Sequence, residues 1–196
     1  MLNRVYAPFF LVALAGCGGN ATAPATSPGE VPLSEPITAP KSLEITSTDF
    51  TDGGALANAF VFNGFGCFGE NKVPALSWKG APAGTKSFAI VVHDPDAPTG
   101  VGFFHWIAFD IPANVTSLAT NAPLPAGAST GRSDFGTTSY GGPCPPPGTP
   151  HRYVFTVYAL KEASLGMKEP PSGALLRFSL GQNTLAYGRI TGTYSR

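Results

Sequence analysis

The 196-residue sequence holds only three histidines, and each stands beside residues that could act with it. His93 precedes Asp94-Pro95-Asp96-Ala97-Pro98, His105 precedes Trp106, and His151 follows Gly141-Gly142-Pro143-Cys144-Pro145-Pro146-Pro147-Gly148. Imidazoles and a carboxylate gathered in one cleft can hold a small anion. The rings and free backbone N–H groups bind its oxygens, while the carboxylate orients a ring or meets a ligand's ammonium. Proline fixes φ and removes donors, so the N–H groups of Gly141 and Gly142 are the ones this loop would offer. Asp94, His105 and His151 also make up a two-histidine, one-carboxylate set of the kind that holds a metal. Taken singly, each residue has an ordinary structural explanation: a satisfied core histidine for His105, a solvated strand end for His151, a turn-capping carboxylate for Asp94 and Asp96.

The elements that must position these groups are strands. Lys86–Val92 is apolar and β-branched, and Arg152–Leu160 reads as a strand buried on both faces. His105–Ile111 alternates, which puts His105, Ile107, Phe109 and Ile111 on one face and Trp106, Ala108 and Asp110 on the other. Ser42–Thr46, Ala59–Phe62 and Leu76–Trp78 are shorter candidates, with Arg189–Tyr194 closing the sheet at the C-terminus. Helical signal is confined to Ser172–Leu180, with a continuation through Asn183–Ala186 across Gly181 as an option. With 24 Gly and 20 Pro punctuating the chain, an antiparallel two-sheet sandwich carrying one or two short C-terminal helices is the expected architecture. Each histidine then falls at a strand end, where a sandwich can display polar groups without disturbing its core.

Two other motifs lack the context their chemistry needs. Gly127-Ala128-Ser129-Thr130-Gly131 matches the nucleophile elbow of serine hydrolases, but that motif needs a strand before it and a helix after it. Here Pro123 and Pro125 precede it and Arg132-Ser133-Asp134 follows. Asp134-Phe135-Gly136 matches one kinase signature, with none of that signature's partners in the chain. No cofactor motif and no activated nucleophile stand out, so no enzymatic step is expected.

The ordered combination is more specific than its parts. Pro74-Ala75-Leu76-Ser77-Trp78, Gly84-Thr85-Lys86-Ser87-Phe88, Asp94–Pro98, His105-Trp106, Asp134-Phe135-Gly136, Tyr140–Gly148, His151-Arg152-Tyr153 and Gly192-Thr193-Tyr194-Ser195-Arg196 resemble the phosphatidylethanolamine-binding protein family, in its bacterial Raf kinase inhibitor-like branch, over about residues 43–196. The resemblance implies a central antiparallel sheet flanked by a second one. It also implies an anion pocket containing Asp94, Pro98, His105, Gly142, Pro145 and His151, with Tyr153 as a wall. Phosphate-like and carboxylate groups, including the phosphoethanolamine head group, are the implied ligands, and a cis peptide is implied near the pocket, with Ala97-Pro98 the candidate. A role as a protease or kinase inhibitor is the implied alternative. Two departures are Ser133, where many relatives have Asn, and Phe103 or Phe104, where relatives outside the bacterial branch often have Trp. A carboxylate beside an imidazole favours its charged form, so anion binding is expected to strengthen below about pH 6.5.

Composition bounds the rest. Twelve basic residues balance twelve acidic ones, and only 12% of residues are charged, which argues against a nucleic-acid partner, since that needs a basic surplus. Residues 1–17 read as a secretory signal: Arg4, then the apolar run Ala7–Ala15, too short to span a bilayer as a helix, then Leu14-Ala15-Gly16-Cys17. That last run resembles the lipobox of bacterial lipoproteins, with Cys17 the acylated residue and the cell envelope, facing the periplasm or the exterior, the expected location. Residues 18–41, with proline at positions 24, 28, 32, 36 and 40, read as an extended tether to a domain spanning 42–196. Setting Cys17 aside leaves Cys67 and Cys144 as an even pair, which can be bridged, buried as two thiols or free; their spacing does not decide among these.

Overall fold

The computed structural model describes residues 37–196; the signal segment, Cys17 and most of the expected tether lie outside the described residues. In chain order the elements are β1 (Glu44–Thr46), a 3-10 turn (Asn58–Phe60), β2 (Asn63–Gly64), β3 (Cys67–Phe68), β4 (Leu76–Lys79), β5 (Ser87–Asp94), β6 (Phe103–Pro112), β7 (Ser117–Leu118), β8 (Ser129–Thr130), β9 (His151–Leu160), α1 (Gly173–Asn183) and β10 (Thr184–Tyr194). Five strands form the main sheet in the order β10-β9-β5-β6-β8, three form a second in the order β1-β4-β7, and β2-β3 is a small hairpin. All pairings between these strands are antiparallel, as expected of the sandwich.

β5 is the centre of the main sheet, and all eight of its residues are buried. Its Val, Ile and Phe side chains cover both faces, which suits β-branched residues at a two-sided position. On one face Phe88, Ile90 and Val92 join Phe155 and Val157 of β9, and meet Leu76, Trp78 and Leu118 of the three-stranded sheet. On the other, Ala89, Val91, Ile107 and Leu160 pack beneath Leu176 and Leu180 of α1. The Ser172 hydroxyl caps that helix, accepting a hydrogen bond from the Leu175 N–H.

Several boundaries differ from expectation, each through a long-range contact. Ile37 is only 5% exposed and belongs to the α1-side core. The Tyr187 N–H donates to Pro40 O and the Leu43 N–H to Tyr187 O, so packing on the domain begins ahead of residue 42. Residues 59–62 form no strand: the chain makes a 3-10 turn there, and the Phe62 N–H donates to Pro143 O. The helix runs through Gly181 and stops at Asn183. β10 starts at Thr184, and Ala186 is a fully buried strand residue opposite Ala159 rather than a helical one. Pairing with the whole length of β9 overrides local helical preference.

The alternation read in β6 is broken twice, and both breaks matter. Phe88 pairs with Ile111 while Ile90 pairs with Ala108, and Val92 pairs with Trp106 while His93 pairs with Phe104. Each step leaves one extra residue on β6, a β-bulge. The first bulge contains Asp110, at φ 56°; Asp tolerates this left-handed region better than most residues. Its carboxylate accepts from the Leu165 N–H and the Ser164 hydroxyl. Ile111 is thereby turned to the Trp106 and Ala108 face, away from Ile107 and Phe109. The second bulge falls at His105.

Candidate functional site

Asp94 ends β5, His105 lies near the start of β6, and His151 and Tyr153 open β9. Antiparallel pairing of β5 with both neighbours puts these termini at one end of the sheet. Side-chain parity along β5 and β9 turns Asp94, His151 and Tyr153 to the same face as Val92 and Phe155. The bulge brings His105 to that face too, its ring 5.1 Å from the Tyr153 ring. Residues 57 positions apart in sequence thus meet: His151 Nδ1 lies 2.7 Å from Asp94 Oδ2.

The Asp94 carboxylate works in two directions. Its Oδ1 accepts from the Asp96 N–H at 2.8 Å and the Ala97 N–H at 3.1 Å, which closes the turn after β5, while Oδ2 accepts a hydrogen bond from His151 Nδ1. Burial pushes the Asp94 pKa up, and the hydrogen bond from His151 works against that shift. Asp96 does not enter the pocket. It grips Arg152 with both oxygens, at 2.7 and 2.9 Å, and also accepts the Arg152 N–H. Burial works to raise the Asp96 pKa, but the hydrogen bonds and charge of Arg152 outweigh it and hold the carboxyl below its usual range. This clamp fastens the turn to the start of β9. The Ala97-Pro98 bond is trans, and no described peptide bond is cis: the turn closes through Asp94 Oδ1 and a bond from Thr99 N–H to Ala97 O, with no reversal at the proline.

His105 is 4% exposed, and burial pushes its pKa down to about 4. Its Nδ1 lies 2.7 Å from Gly141 O. A carbonyl only accepts, so the ring donates from Nδ1; a neutral imidazole then keeps a bare lone pair on Nε2. Tyr153 is 1% exposed, its hydroxyl has no hydrogen-bond partner among the described residues, and burial raises its pKa.

These four side chains line a cavity of about 160 Å³. Phe65, Phe103 and Phe135 form its apolar wall; Ala97, Pro98 and Thr99 form one lip, and Cys144, Pro145 and Pro146 the other. Of the residues expected in the pocket, Asp94, Pro98, His105, Pro145, His151 and Tyr153 surround this cavity. Gly142 does not. Its N–H donates to Asn71 Oδ1 at 2.7 Å, and the Gly141 N–H donates to His105 O, so neither backbone donor is left for an anion. Gly142 is needed for a different reason: a Cβ there would sit 2.0 Å from Phe60 O.

Sequence reasoning missed three contributors. Asn71, at φ 54°, holds the loop from behind through Gly142 and by donating from Nδ2 to Tyr140 O. Phe135 is carried into the wall because Asp134 exchanges bonds with Phe104 through its N–H and its Oδ2; the quoted Asp-Phe-Gly run was the available signal. The third is the hairpin tip at Phe65, stacked near Phe135 with ring centroids 5.9 Å apart. Cys67 and Cys144 are disulfide-bonded, which ties this hairpin to the proline-rich lip. Arg196 braces both parts, donating to Pro145 O and Phe65 O.

Among the described residues, no group of three or more His, Cys, Asp or Glu side chains is arranged to hold a metal ion. Ser129 of β8 pairs opposite Phe109 of β6, four residues along that strand from His105. No helix of the described residues is long and apolar enough to cross a membrane.

Comparison with known proteins gives a consistent picture. The family model for phosphatidylethanolamine-binding protein matches residues 46–195. YbcL of Escherichia coli, a UPF0098 protein, is 46% identical over 160 residues, covering 78% of this chain and 87% of that protein. Its crystal structure, described as that of a new member of the mammalian PEBP family, superimposes with a TM-score of 0.76 over 79% of this chain and 99% of that one. LppC of Mycobacterium tuberculosis, which carries a lipoprotein name, is 35% identical over 193 residues, covering 94% of this chain and 90% of that protein.

Proposed function

The chain belongs to the phosphatidylethanolamine-binding protein family, and on that premise we propose that it is a non-enzymatic binding protein for a small phosphate or carboxylate group. A phosphoethanolamine head group fits this description. We further propose that an acylated Cys17 tethers it to the bacterial cell envelope, facing the periplasm or exterior. The carrying observation is the convergence of His105, Tyr153 and the Asp94–His151 pair on one cavity. A void of about 150 Å³ can house a benzene-sized guest, so the cavity suits a head group and not a whole lipid. The match to LppC reaches into the N-terminal region, which favours a shared envelope tether over an incidental cysteine.

Calorimetric titration with O-phosphoethanolamine, on the wild type and on His105→Ala and His151→Ala, tests the pocket. A hydrogen bond to a charged group contributes about 1.5–3 kcal/mol, so each variant is expected to bind about ten- to a hundredfold more weakly. Unchanged affinity in both would remove the assignment.

One observation favours a second reading, a protein-interaction module of the inhibitor type. Phe65 is 72% and Phe68 85% exposed on the β2-β3 hairpin beside the cavity, and paired exposed aromatics are the usual anchors of a partner. An envelope location makes a protease the relevant target. Loss of inhibition in Phe68→Ser, whose side chain lies outside the cavity lining, with head-group binding retained, would support this role.

A further inference from the structure

We propose that the pocket selects a singly charged oxyanion that carries its own acidic hydroxyl, a phosphate monoester, over a phosphate diester or sulfate ester of equal charge. The inference rests on the reading of the cavity as an oxyanion site and names the form that site takes.

His105 spends its Nδ1 proton on Gly141 O, so the atom it offers to the cavity, Nε2, accepts. Asp94 offers only acceptor oxygens, already engaged by His151, Asp96 N–H and Ala97 N–H. The amides of Gly141 and Gly142 are spent on His105 O and Asn71 Oδ1. Among the side chains that line the cavity, what remains to meet anionic oxygens is the outer nitrogen of His151, which donates when that ring carries its second proton beside the Asp94 carboxylate. The Tyr153 hydroxyl is buried and does not reach the cavity. An oxyanion with bare oxygens on every side would set one of them against the His105 lone pair. A P–O–H group instead donates to Nε2, while another of its oxygens accepts from the His151 imidazolium. The proton needs no outside source, because the ligand brings it.

A diester must recruit that proton from solvent onto His105. Burial holds this ring at about 4, so the recruitment weakens binding about tenfold at pH 5 and about a thousandfold at pH 7. A monoester, with its second ionisation near about 6, is mostly in the hydroxyl form at pH 5 and loses only about tenfold at pH 7. The preference for monoester over diester should therefore grow from about tenfold at pH 5 to about a hundredfold at pH 7. His151 makes the same contact with both ligands and cancels from the ratio.

The test is calorimetry of the full chain with methyl phosphate, methyl sulfate and dimethyl phosphate at both pH values. Methyl sulfate matches methyl phosphate in size and has no proton, which separates the hydroxyl from the bulk of a second methyl group. The expected result is tight methyl phosphate and weak binding of the other two, with one proton taken up per dimethyl phosphate bound. Equal affinity of all three at pH 7 would overturn the inference and leave the oxyanion site standing. Binding by none of them would overturn both. His105→Asn, whose Nδ2 can replace the bond to Gly141 O without supplying an Nε2, should bring the preference close to one; an undiminished preference in that variant would also overturn it. Dihexanoyl phosphatidic acid, a monoester on a lipid, separates the two sources. Binding like that of methyl phosphate supports a membrane ligand, and binding by methyl phosphate alone supports a soluble one.

Discussion

His93 and Asp94 are consecutive on β5, yet they serve opposite sides of the sheet. His93 packs 4.6 Å from the Phe104 ring, donates from Nε2 to Val101 O, and lies beneath Gly102, where a Cβ would meet its Nε2 at 2.5 Å. Beyond it the Arg177 guanidinium of α1 stands 5.5 Å over Phe104. Burial, then the charge of Arg177, pushes the His93 pKa down to about 4, the same value that burial alone chiefly produces at His105. Both histidines are 4% exposed. By burial and acidity they cannot be told apart. What differs is the surroundings: His93 is filled in by aromatic, glycine and guanidinium groups, whereas His105 borders a void that also receives a carboxylate–imidazole pair. A perturbed histidine marks a candidate site only when there is room beside it and a second titratable group to share it.

The disulfide sets the two sides of the sheet apart most strongly. Cys67–Cys144 closes a 77-residue separation on the site side alone, and such cross-links contribute about 2–5 kcal/mol. Cys67→Ser/Cys144→Ser should lower stability by about that amount in chemical denaturation. It should also weaken O-phosphoethanolamine binding, because Cys144 is part of the lip. Stability lost with affinity intact would detach the lip from the function.

Acid acts on both buried histidines. Both rings have folded values near 4, below the usual 6.5. The unfolded chain therefore binds more protons between these limits, and stability falls as pH drops from about 6.5 to about 4, then levels off. The loss amounts to roughly 3 kcal/mol per histidine. His93→Asn should remove about half of this slope and leave ligand affinity within about threefold of wild type. An unchanged slope would show that His93 is not buried neutral.

Much of this was legible in the sequence. The strands β5, β6 and β9 follow from β-branched and alternating runs, and the turn, the lip and the two pocket histidines, His105 and His151, are carried by motifs that resemble a known family. The expectation that His105 shares a face with Ile107 failed because a bulge depends on how two strands pair, and no residue in β6 announces it. The free donors of Gly141 and Gly142 failed for a similar reason. Asn71, about 70 positions away, claims the Gly142 N–H, and its own left-handed turn carries no chemical signal in one dimension. The expected rise in binding below about pH 6.5 does not come from His105, which stays neutral until about 4.

The smallest expected effect concerns the clamp. Asp96→Asn removes the charge that fixes Arg152 and the turn carrying Ala97 and Pro98. This pair is partly exposed, so stability should fall by no more than about 1 kcal/mol, with a loss of affinity of a few fold. A larger loss of affinity than of stability would mean that the turn positions the ligand more tightly than its clamp alone requires.

With only three histidines in the chain, a ¹⁵N-histidine spectrum recorded during titration with O-phosphoethanolamine reads every imidazole separately. The account predicts that His105 starts as the neutral Nδ1–H form, that His105 and His151 shift together and saturate at one equivalent, and that His93 stays still. Movement of all three alike, or of His93 ahead of the other two, would contradict it.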